Sequence, residues 1–156
     1  KPNDPKKMKI VVIDHIRKLK SERNWQMKQV IDKMSEYMVE LRNLLGYTFV
    51  PILHTNRNLA STDKLSYFKN DIYPTSNDLK DSGNLGEDCN YLFTTFNPND
   101  DQYALKKHFD LDIRDSKGNI LYPNLRTIHL VSSRHGEFPR HYKSNMFGNI
   151  KKFEKI

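Results

Sequence analysis

The amino-acid sequence lacks the features of several protein classes. It has a single cysteine, Cys89, in 156 residues, which excludes a disulfide scaffold and any zinc site built on several cysteines. No apolar run approaches the roughly 18 residues that cross a bilayer, and no signal-peptide pattern opens the chain. The sequence therefore predicts a soluble, intracellular protein without a membrane partner.

Acidic residues are too few to balance the basic ones. The 26 Lys and Arg residues outnumber the 19 Asp and Glu residues, which gives a net charge of +7 and a pI near 9.4. A basic chain attracts polyanions by contacting their phosphates and releasing counterions. The mean hydropathy of −0.79 is low for a globular domain, but eight Tyr and eight Phe residues exclude a wholly disordered chain. The charge favours a polyanion as partner, although many basic domains bind none.

Apolar patterning predicts a strand, a long helix and a second strand near the start of the chain. The β-branched run at 9–14 indicates a central strand that is covered on both faces. Over 24–45 one helical face carries apolar side chains, and Gly46 is placed to end that helix. A second strand is predicted at 47–53, although Pro51 is unfavourable inside a sheet. This order predicts a right-handed crossover in a parallel sheet.

The rest of the chain is predicted to contain loops and shorter strands. Residues 1–8 indicate a linker or loop, and the polar composition of 55–77 predicts a long mobile loop. A turn and a short helix are expected over 78–88. Further strands are predicted at 90–96, 126–132, 139–144 and 150–153. The second and third of these pair as an antiparallel hairpin across an Arg-His-Gly-Glu turn.

Two polar residues follow the predicted parallel strands, Asp14 after the first and His54 after the second. Ligands of parallel sheets bind beyond the carboxyl ends of the strands. There a carboxylate can hold Mg²⁺ through water, and a histidine can contact a γ-phosphate or its attacking water. The alternatives are an acid that merely starts a loop and a surface histidine.

Four short stretches carry a resemblance to a known family. They read VVIDH at 11–15, LHTNR at 53–57, DLKDSGNLGEDCN at 78–90 and SSRHG at 132–136. In this order they resemble the Walker B strand, the sensor strand end, the channel loop and the K-x-R-x-G turn of DnaB-type replicative DNA helicases. The resemblance covers most of the chain. It implies that residues 1–156 are the C-terminal portion of one RecA-like ATPase domain, an α/β fold with a mainly parallel sheet flanked by helices and a C-terminal antiparallel hairpin.

The resemblance implies catalytic roles for three residues. Asp14 matches the Walker B acid that positions Mg²⁺, and it is therefore both the metal-binding and a catalytic candidate. His54 occupies the sensor position, where bacterial members carry Gln. Arg134 matches the arginine finger, which reaches the nucleotide of the neighbouring subunit.

The resemblance also implies a surface for single-stranded DNA. Lys80, Asp81 and Gly83 fall in the loop that lines the central channel, and Arg57 follows the sensor strand end as a further candidate. Backbone N–H groups around a glycine-containing turn can hold phosphates without reading base sequence.

The function implied by the resemblance is ATP- and Mg²⁺-dependent unwinding of DNA during replication, by a ring that translocates on single-stranded DNA. The implied partners are single-stranded DNA, further copies of the chain in a hexamer, a primase and a helicase loader, in the cytoplasm of a bacterial or phage-infected cell. Two alternatives stand beside it. One is a non-catalytic RecA-like module that binds single strands or regulates another protein, and the other is a fragment of a RecA- or RadA-type recombinase.

The sequence departs from the family at several positions. Ser132 replaces the lysine two positions before the finger, and Gly86 and Asn90 stand where the family has acids. No G-x-x-x-x-G-K-[ST] motif occurs, so the phosphate-cradling loop is absent. We expect that loop to lie upstream of Lys1 in a longer protein, and we expect the isolated chain to be inactive. A free-standing protein that has lost its nucleotide site is the alternative.

A basic and aromatic cluster near the end of the chain also suggests nucleic-acid binding. Its members are Arg134, Phe138, Arg140, His141, Tyr142 and Lys143. A solvated hairpin face is an equal alternative. The six histidines of the chain show no HExxH spacing.

Overall fold

The computed structural model describes residues 7–20, 24–55, 62–79 and 85–156. The chain divides into two compact units. Unit 1 holds the residues up to Thr55 together with Leu79–Cys89, and unit 2 holds Asn56–Asp78 together with Asn90–Ile156. Each unit has its own buried core. The assignment of the whole chain to one RecA-like domain stays a prediction.

Unit 1 is built on the strand, helix and strand that the sequence predicts. Strand β1 covers Lys9–Ile13, helix α1 covers Met27–Leu45 and strand β2 covers Tyr47–Pro51. The two strands pair in parallel, with Ile13 opposite Pro51. Pro51 stands at the end of β2, where a missing N–H is tolerated. The predicted parallel pairing across a helix is confirmed.

Helix α1 begins and ends at residues suited to those positions. The backbone N–H of Gln26 donates to Oε1 of Gln29 at 2.9 Å in a capping arrangement. Gly46 follows the helix at φ 63°, a left-handed conformation that glycine adopts without strain. The buried face includes Ile31 and Met38, as the apolar spacing predicts. Within the described part of the chain no helix is long and apolar enough to cross a membrane.

One face of the two-stranded sheet of unit 1 is packed and the other is exposed. Ile13 and Phe49 pack against the core to which α1 contributes, whereas Ile10, Val12 and Val50 are 54%, 60% and 43% exposed. The expected cover on both faces of the first strand is therefore not present within unit 1. Parallel sheets are normally covered on both faces, so this apolar face is a surface that another part of a fold can cover.

Unit 2 is dominated by a four-stranded antiparallel sheet. Its strands are, in spatial order, β3 (Tyr91–Phe96), β6 (Leu125–Ser133), β7 (Arg140–Phe147) and β8 (Lys152–Lys155). A small hairpin of β4 (Lys107–His108) and β5 (Leu111–Asp112) lies in the connection between β3 and β6. The buried core comprises Ile72, Phe96, Leu105, Ile113 and Leu125. The predicted hairpin near the end of the chain is β6–β7 and is confirmed.

The parallel part of the fold is smaller than the sequence predicts. The mixed α/β class is confirmed, but among the described residues only β1 and β2 run in parallel, and the larger sheet is antiparallel. A parallel pair needs a crossover of a dozen residues or more, usually a helix. The connection between β3 and β6 holds only a single helical turn at Asp101–Tyr103 and the β4–β5 hairpin. Without a crossover helix, β6 returns antiparallel to β3.

The segment 55–77, predicted as a long mobile loop, contains regular structure. Its described part includes helix α2 and two single 3-10 turns, at Thr62–Phe68, Lys69–Asp71 and Ser76–Asp78. Leu65 packs against the core of unit 2, and Ile72 is 1% exposed. These two apolar side chains anchor a stretch whose polar composition predicted a loop. Residues 56–61 lie outside the described residues, as do 1–6 of the predicted linker.

Candidate functional site

The backbone holds the two predicted site segments together beyond the ends of β1 and β2. The N–H of Ile52 donates to the carbonyl of Ile13 at 3.0 Å, and the N–H of Ile16 donates to the carbonyl of Ile52 at 3.2 Å. Ile16 is fully buried in the core of unit 1. These bonds extend the pairing past the strands, so Asp14 and His54 follow neighbouring strand ends at one edge of the sheet, as predicted.

His15 and His54 are in direct contact at this edge. Their ring centroids are 4.4 Å apart with an interplanar angle of 74°, an edge-to-face arrangement that aromatic rings favour. Asp14 and His54 are exposed and His15 is half-buried. The strand ends therefore carry a carboxylate and two imidazoles, of which His15 was not predicted as a site residue.

A buried nitrogen of His15 gives this edge unused hydrogen-bonding capacity. Its Nδ1 atom is buried and has no hydrogen-bond partner among the described residues, and such atoms are rare unless a water or a ligand completes them. Asp14 adds a carboxylate, which is the kind of oxygen ligand that Mg²⁺ prefers. Because phosphate oxygens accept hydrogen bonds from an imidazole N–H, these groups fit a nucleotide phosphate together with Mg²⁺.

The described residues contain no group of three or more His, Cys, Asp and Glu side chains that could hold a metal ion. Magnesium in phosphate sites does not need such a group, because it keeps several waters and uses one or two carboxylates with the substrate phosphates. A single carboxylate, Asp14, acting through water is sufficient for the predicted metal role.

Arg134 lies in unit 2, in the turn between β6 and β7, and is exposed. Its backbone N–H donates to the carbonyl of Asn90 at 2.9 Å, which ties the turn to the start of β3. Within the turn the N–H of His135 donates to Oγ of Ser133 at 3.1 Å. The predicted turn is present and its backbone is held by hydrogen bonds, while the role of Arg134 as an arginine finger stays a prediction.

The described residues do not include the four predicted DNA-binding residues, Arg57, Lys80, Asp81 and Gly83. The chain on both sides of 80–84 is described. Leu79 pairs with Thr55 in an isolated bridge, and Leu85 begins helix α3, Leu85–Asp88, and is buried in the core of unit 1. Both flanks of the predicted DNA loop are thus anchored in the unit that carries Asp14 and His54.

Polar contacts attach α3 to α1. Oγ of Ser35 donates to Oδ2 of Asp88 at 2.6 Å, and Ser35 is 1% exposed. Nη1 of Arg42 donates to the backbone carbonyl of Asp88 at 3.2 Å. The serine interrupts the apolar face of α1 because it supplies a hydrogen bond to the carboxylate of α3.

The basic and aromatic cluster predicted near the end of the chain is not one surface. Side chains alternate between the faces of β7, and Arg140 and Tyr142 are exposed while His141 and Lys143 are partly buried. Lys143 bonds to Oδ1 of Asp110. Half of the predicted cluster therefore serves the packing of unit 2.

Three histidines form a hydrogen-bonded chain on the buried face of the unit 2 sheet, which the sequence analysis did not predict. Nδ1 of His141 lies 2.8 Å from Nδ1 of His129, and Nε2 of His129 lies 2.8 Å from Oγ1 of Thr127. The same oxygen lies 3.3 Å from Nε2 of His108, whose Nδ1 lies 3.0 Å from the carbonyl of Asn70. We call these five residues the histidine chain.

The carbonyl at one end sets the direction of the histidine chain. A carbonyl only accepts, so Nδ1 of His108 donates to it and Nε2 of His108 accepts from the Thr127 hydroxyl. That hydroxyl accepts from Nε2 of His129, whose Nδ1 accepts from His141. All three imidazoles are neutral in this arrangement. Accordingly, burial lowers the pKa of His108 to about 4 and the pKa of His129 to about 3, and it also lowers the pKa of His141.

The comparisons with known proteins concern the fold. No family model matches the sequence, and no curated protein matches it. Among solved structures, the chain shares its fold with an ATPase domain, at a TM-score of 0.70 over 98% of its own length. That structure is the ATPase domain of a DnaB-family helicase, to which the chain is 17% identical. The chain spans less than half of it, 46% of its length.

Proposed function

We propose that the chain is part of an ATP-dependent DNA helicase of the DnaB type, which translocates on single-stranded DNA as a ring. The observation that carries the proposal is the meeting of VVIDH and LHTNR at one strand edge, where Asp14, His15 and His54 lie, in a fold shared with an ATPase domain. The likeness supports the DnaB-like fold that the four sequence motifs imply.

The chain supplies one half of the nucleotide site in this proposal. A second half, bearing the G-x-x-x-x-G-K-[ST] loop, supplies the amides and the lysine that cradle the phosphates. Two observations support this division. The chain spans 46% of the matched ATPase domain, and the β1–β2 sheet has an exposed apolar face with Ile10 and Val12 at its centre.

Each site residue then has a defined task. When bound, Mg²⁺ neutralises charge on the terminal phosphates, and the Asp14 carboxylate holds its water ligands. His54 orients the attacking water at the γ-phosphate. Arg134 reaches the nucleotide of a neighbouring subunit and stabilises the charge that develops on the transferring phosphoryl group. Lys80, Asp81, Gly83 and Arg57 contact the DNA backbone in the channel.

A non-catalytic module that binds single strands is the second candidate. The missing phosphate loop and Ser132, at the position of the family lysine, favour it. Single-strand binding by the complete protein without any dependence on nucleotide supports this candidate, whereas nucleotide-dependent binding supports the helicase. Filaments instead of closed rings under the electron microscope support a recombinase.

The carboxylate of Asp14 is the first test of the proposed site. In the complete protein, Asp14→Asn keeps the shape of the side chain but removes its charge, so we expect ATP hydrolysis to fall by at least about a hundredfold. Asp112→Asn, at an exposed position of β5 in unit 2, serves as the matched control and retains activity. The measurement is steady-state ATP turnover with single-stranded DNA over a range of Mg²⁺ concentrations. Turnover that survives Asp14→Asn contradicts the proposed function.

The DNA loop is tested by Lys80→Ala in the complete protein. A lysine that contacts phosphates contributes equally to every base sequence, so affinity should fall uniformly and the slope of log affinity against log salt should decrease by about one contact. Fluorescence anisotropy with labelled oligonucleotides of different sequence measures both quantities. Lys117→Ala, in an exposed turn of unit 2, is the control. A loss confined to some sequences argues against a loop that follows the backbone.

A further inference from the structure

We infer that His15 is a further residue of the nucleotide site, which positions the His54 ring and donates a hydrogen bond from Nδ1 to an oxygen of the terminal phosphate. The inference rests on the proposed function and adds a residue that the resemblance does not assign. It comes from two independent observations, the ring contact with His54 and the buried nitrogen without a partner.

The ring contact fixes the side of His54 that faces unit 1. His15 precedes Ile16, which is fully buried and bonded through its N–H to Ile52. The backbone of His15 is therefore held between β1 and the core, whereas His54 is exposed. At 4.4 Å and 74° the held ring limits the orientations of the exposed one. An imidazole that must orient a water molecule benefits from such a restraint, because misplacement of a catalytic group slows the reaction.

The nitrogen of His15 requires a separate explanation. Packing against His54 needs only a ring, and phenylalanine would provide one without burying a polar atom. A buried polar atom without a partner destabilises the folded state. The neighbouring carboxylate of Asp14 suits the cation that accompanies a phosphate. We therefore assign Nδ1 of His15 as the donor to a phosphate oxygen that approaches beyond the strand ends.

Two substitutions separate the two roles of His15. His15→Phe keeps a ring beside His54 and removes Nδ1, whereas His15→Asn keeps an amide donor near the position of Nδ1 and removes the ring. Both are made in the complete protein, and each serves as the control for the other. The affinities for a non-hydrolysable ATP analogue and for ADP are measured at equilibrium, so that this readout does not depend on turnover.

We expect His15→Phe to weaken binding of the ATP analogue about ten- to a hundredfold, because a hydrogen bond to a charged group is lost. Binding of ADP should not change, since ADP lacks the terminal phosphate. His15→Asn should retain analogue affinity within a few-fold and yet lower kcat at least about tenfold. A crystal structure of His15→Asn should show the His54 ring in a different rotamer.

Three outcomes overturn the inference. Unchanged analogue affinity in His15→Phe removes the hydrogen bond, and an unchanged His54 rotamer with unchanged kcat in His15→Asn removes the positioning role; in either case the proposed function stands if the unsubstituted protein hydrolyses ATP. An unsubstituted complete protein that neither binds nor hydrolyses ATP overturns the inference and the proposed function together.

Discussion

Replacing Arg134 with alanine in the complete protein should reduce ATP hydrolysis by about a thousandfold or more, with little change in nucleotide affinity. An arginine finger stabilises charge that develops only in the transition state, and removing one typically lowers kcat by about 10³–10⁵. Arg134 has the placement that this role needs, because it is exposed in a turn whose backbone is bonded to Asn90. Arg134→Lys should recover little activity, because a lysine lacks the planar, bidentate donor geometry.

A mixing experiment tests whether Arg134 acts across a subunit boundary. Subunits with Arg134→Ala keep Asp14, and subunits with Asp14→Asn keep Arg134. In a mixed ring some nucleotide sites receive both intact residues, so mixing the two inactive variants should restore part of the turnover. Arg140→Ala, at an exposed position of β7 near a carboxylate oxygen of Glu137 at 3.7 Å, is the control and should stay active. Mixtures that remain inactive contradict a role in trans, and active Arg134→Ala contradicts the finger itself.

The part of the fold that the sequence predicts best is the part governed by local pattern. The apolar period of α1 and the position of Gly46 depend on residues within a few turns of one another, and both predictions are confirmed. The parallel partner of β1 follows because α1 is long enough to cross between the strands. The placement of Asp14 and His54 at one edge follows from the same geometry.

Predictions fail where a few contacts between distant residues decide the structure. Leu65 and Ile72 anchor the segment after Thr62 against the core of unit 2, although the composition around them is that of a loop. His15 adjoins Asp14 in sequence, but its contact with His54 depends on backbone bonds beyond the strand ends.

The histidine chain shows the same limit. Leu125, Thr127 and His129 alternate along β6 and are all buried, so the period-two pattern could have placed His129 on the inner face. Its partner depends on the register of the hairpin, in which His129 is opposite His141. No local signal connects either residue with His108, which lies in a two-residue strand of a distant hairpin.

The chain should lose stability steeply as the pH falls from about 6.5 towards 4. In the unfolded chain a histidine takes up a proton near its ordinary pKa of 6.5. In unit 2, burial keeps His108 neutral to about pH 4 and His129 neutral to about pH 3. Below pH 6.5 the unfolded state therefore binds more protons than the folded state, and the free energy of unfolding decreases with falling pH. The stabilisation is complete above pH 6.5.

The expected loss is large because each unit of pKa corresponds to about 1.4 kcal/mol. A fall from 6.5 to about 4 makes His108 alone account for about 3 kcal/mol between these pH values, against a total stability of about 5–15 kcal/mol for a typical domain. Nearby charges modify the burial effect: Asp71 favours protonation of His108 and His141, and Lys143 opposes it for His108. The carboxyl of Asp110, bonded to Lys143, has a pKa below its ordinary 3.8 and titrates below this range.

Urea denaturation of the chain from pH 7.5 to 4.5 measures this dependence. His108→Gln keeps an amide within reach of Thr127 but cannot titrate, so the fall in unfolding free energy with pH should become shallower by about one proton near pH 5. His135→Gln removes an exposed histidine from the β6–β7 turn and should leave the slope in that range nearly unchanged. Equal slopes in both variants would mean that His108 is protonated to the same extent in the folded and unfolded chains. The directional bonding from His141 to Asn70 would then not hold in solution, because a charged His108 cannot accept from the Thr127 hydroxyl.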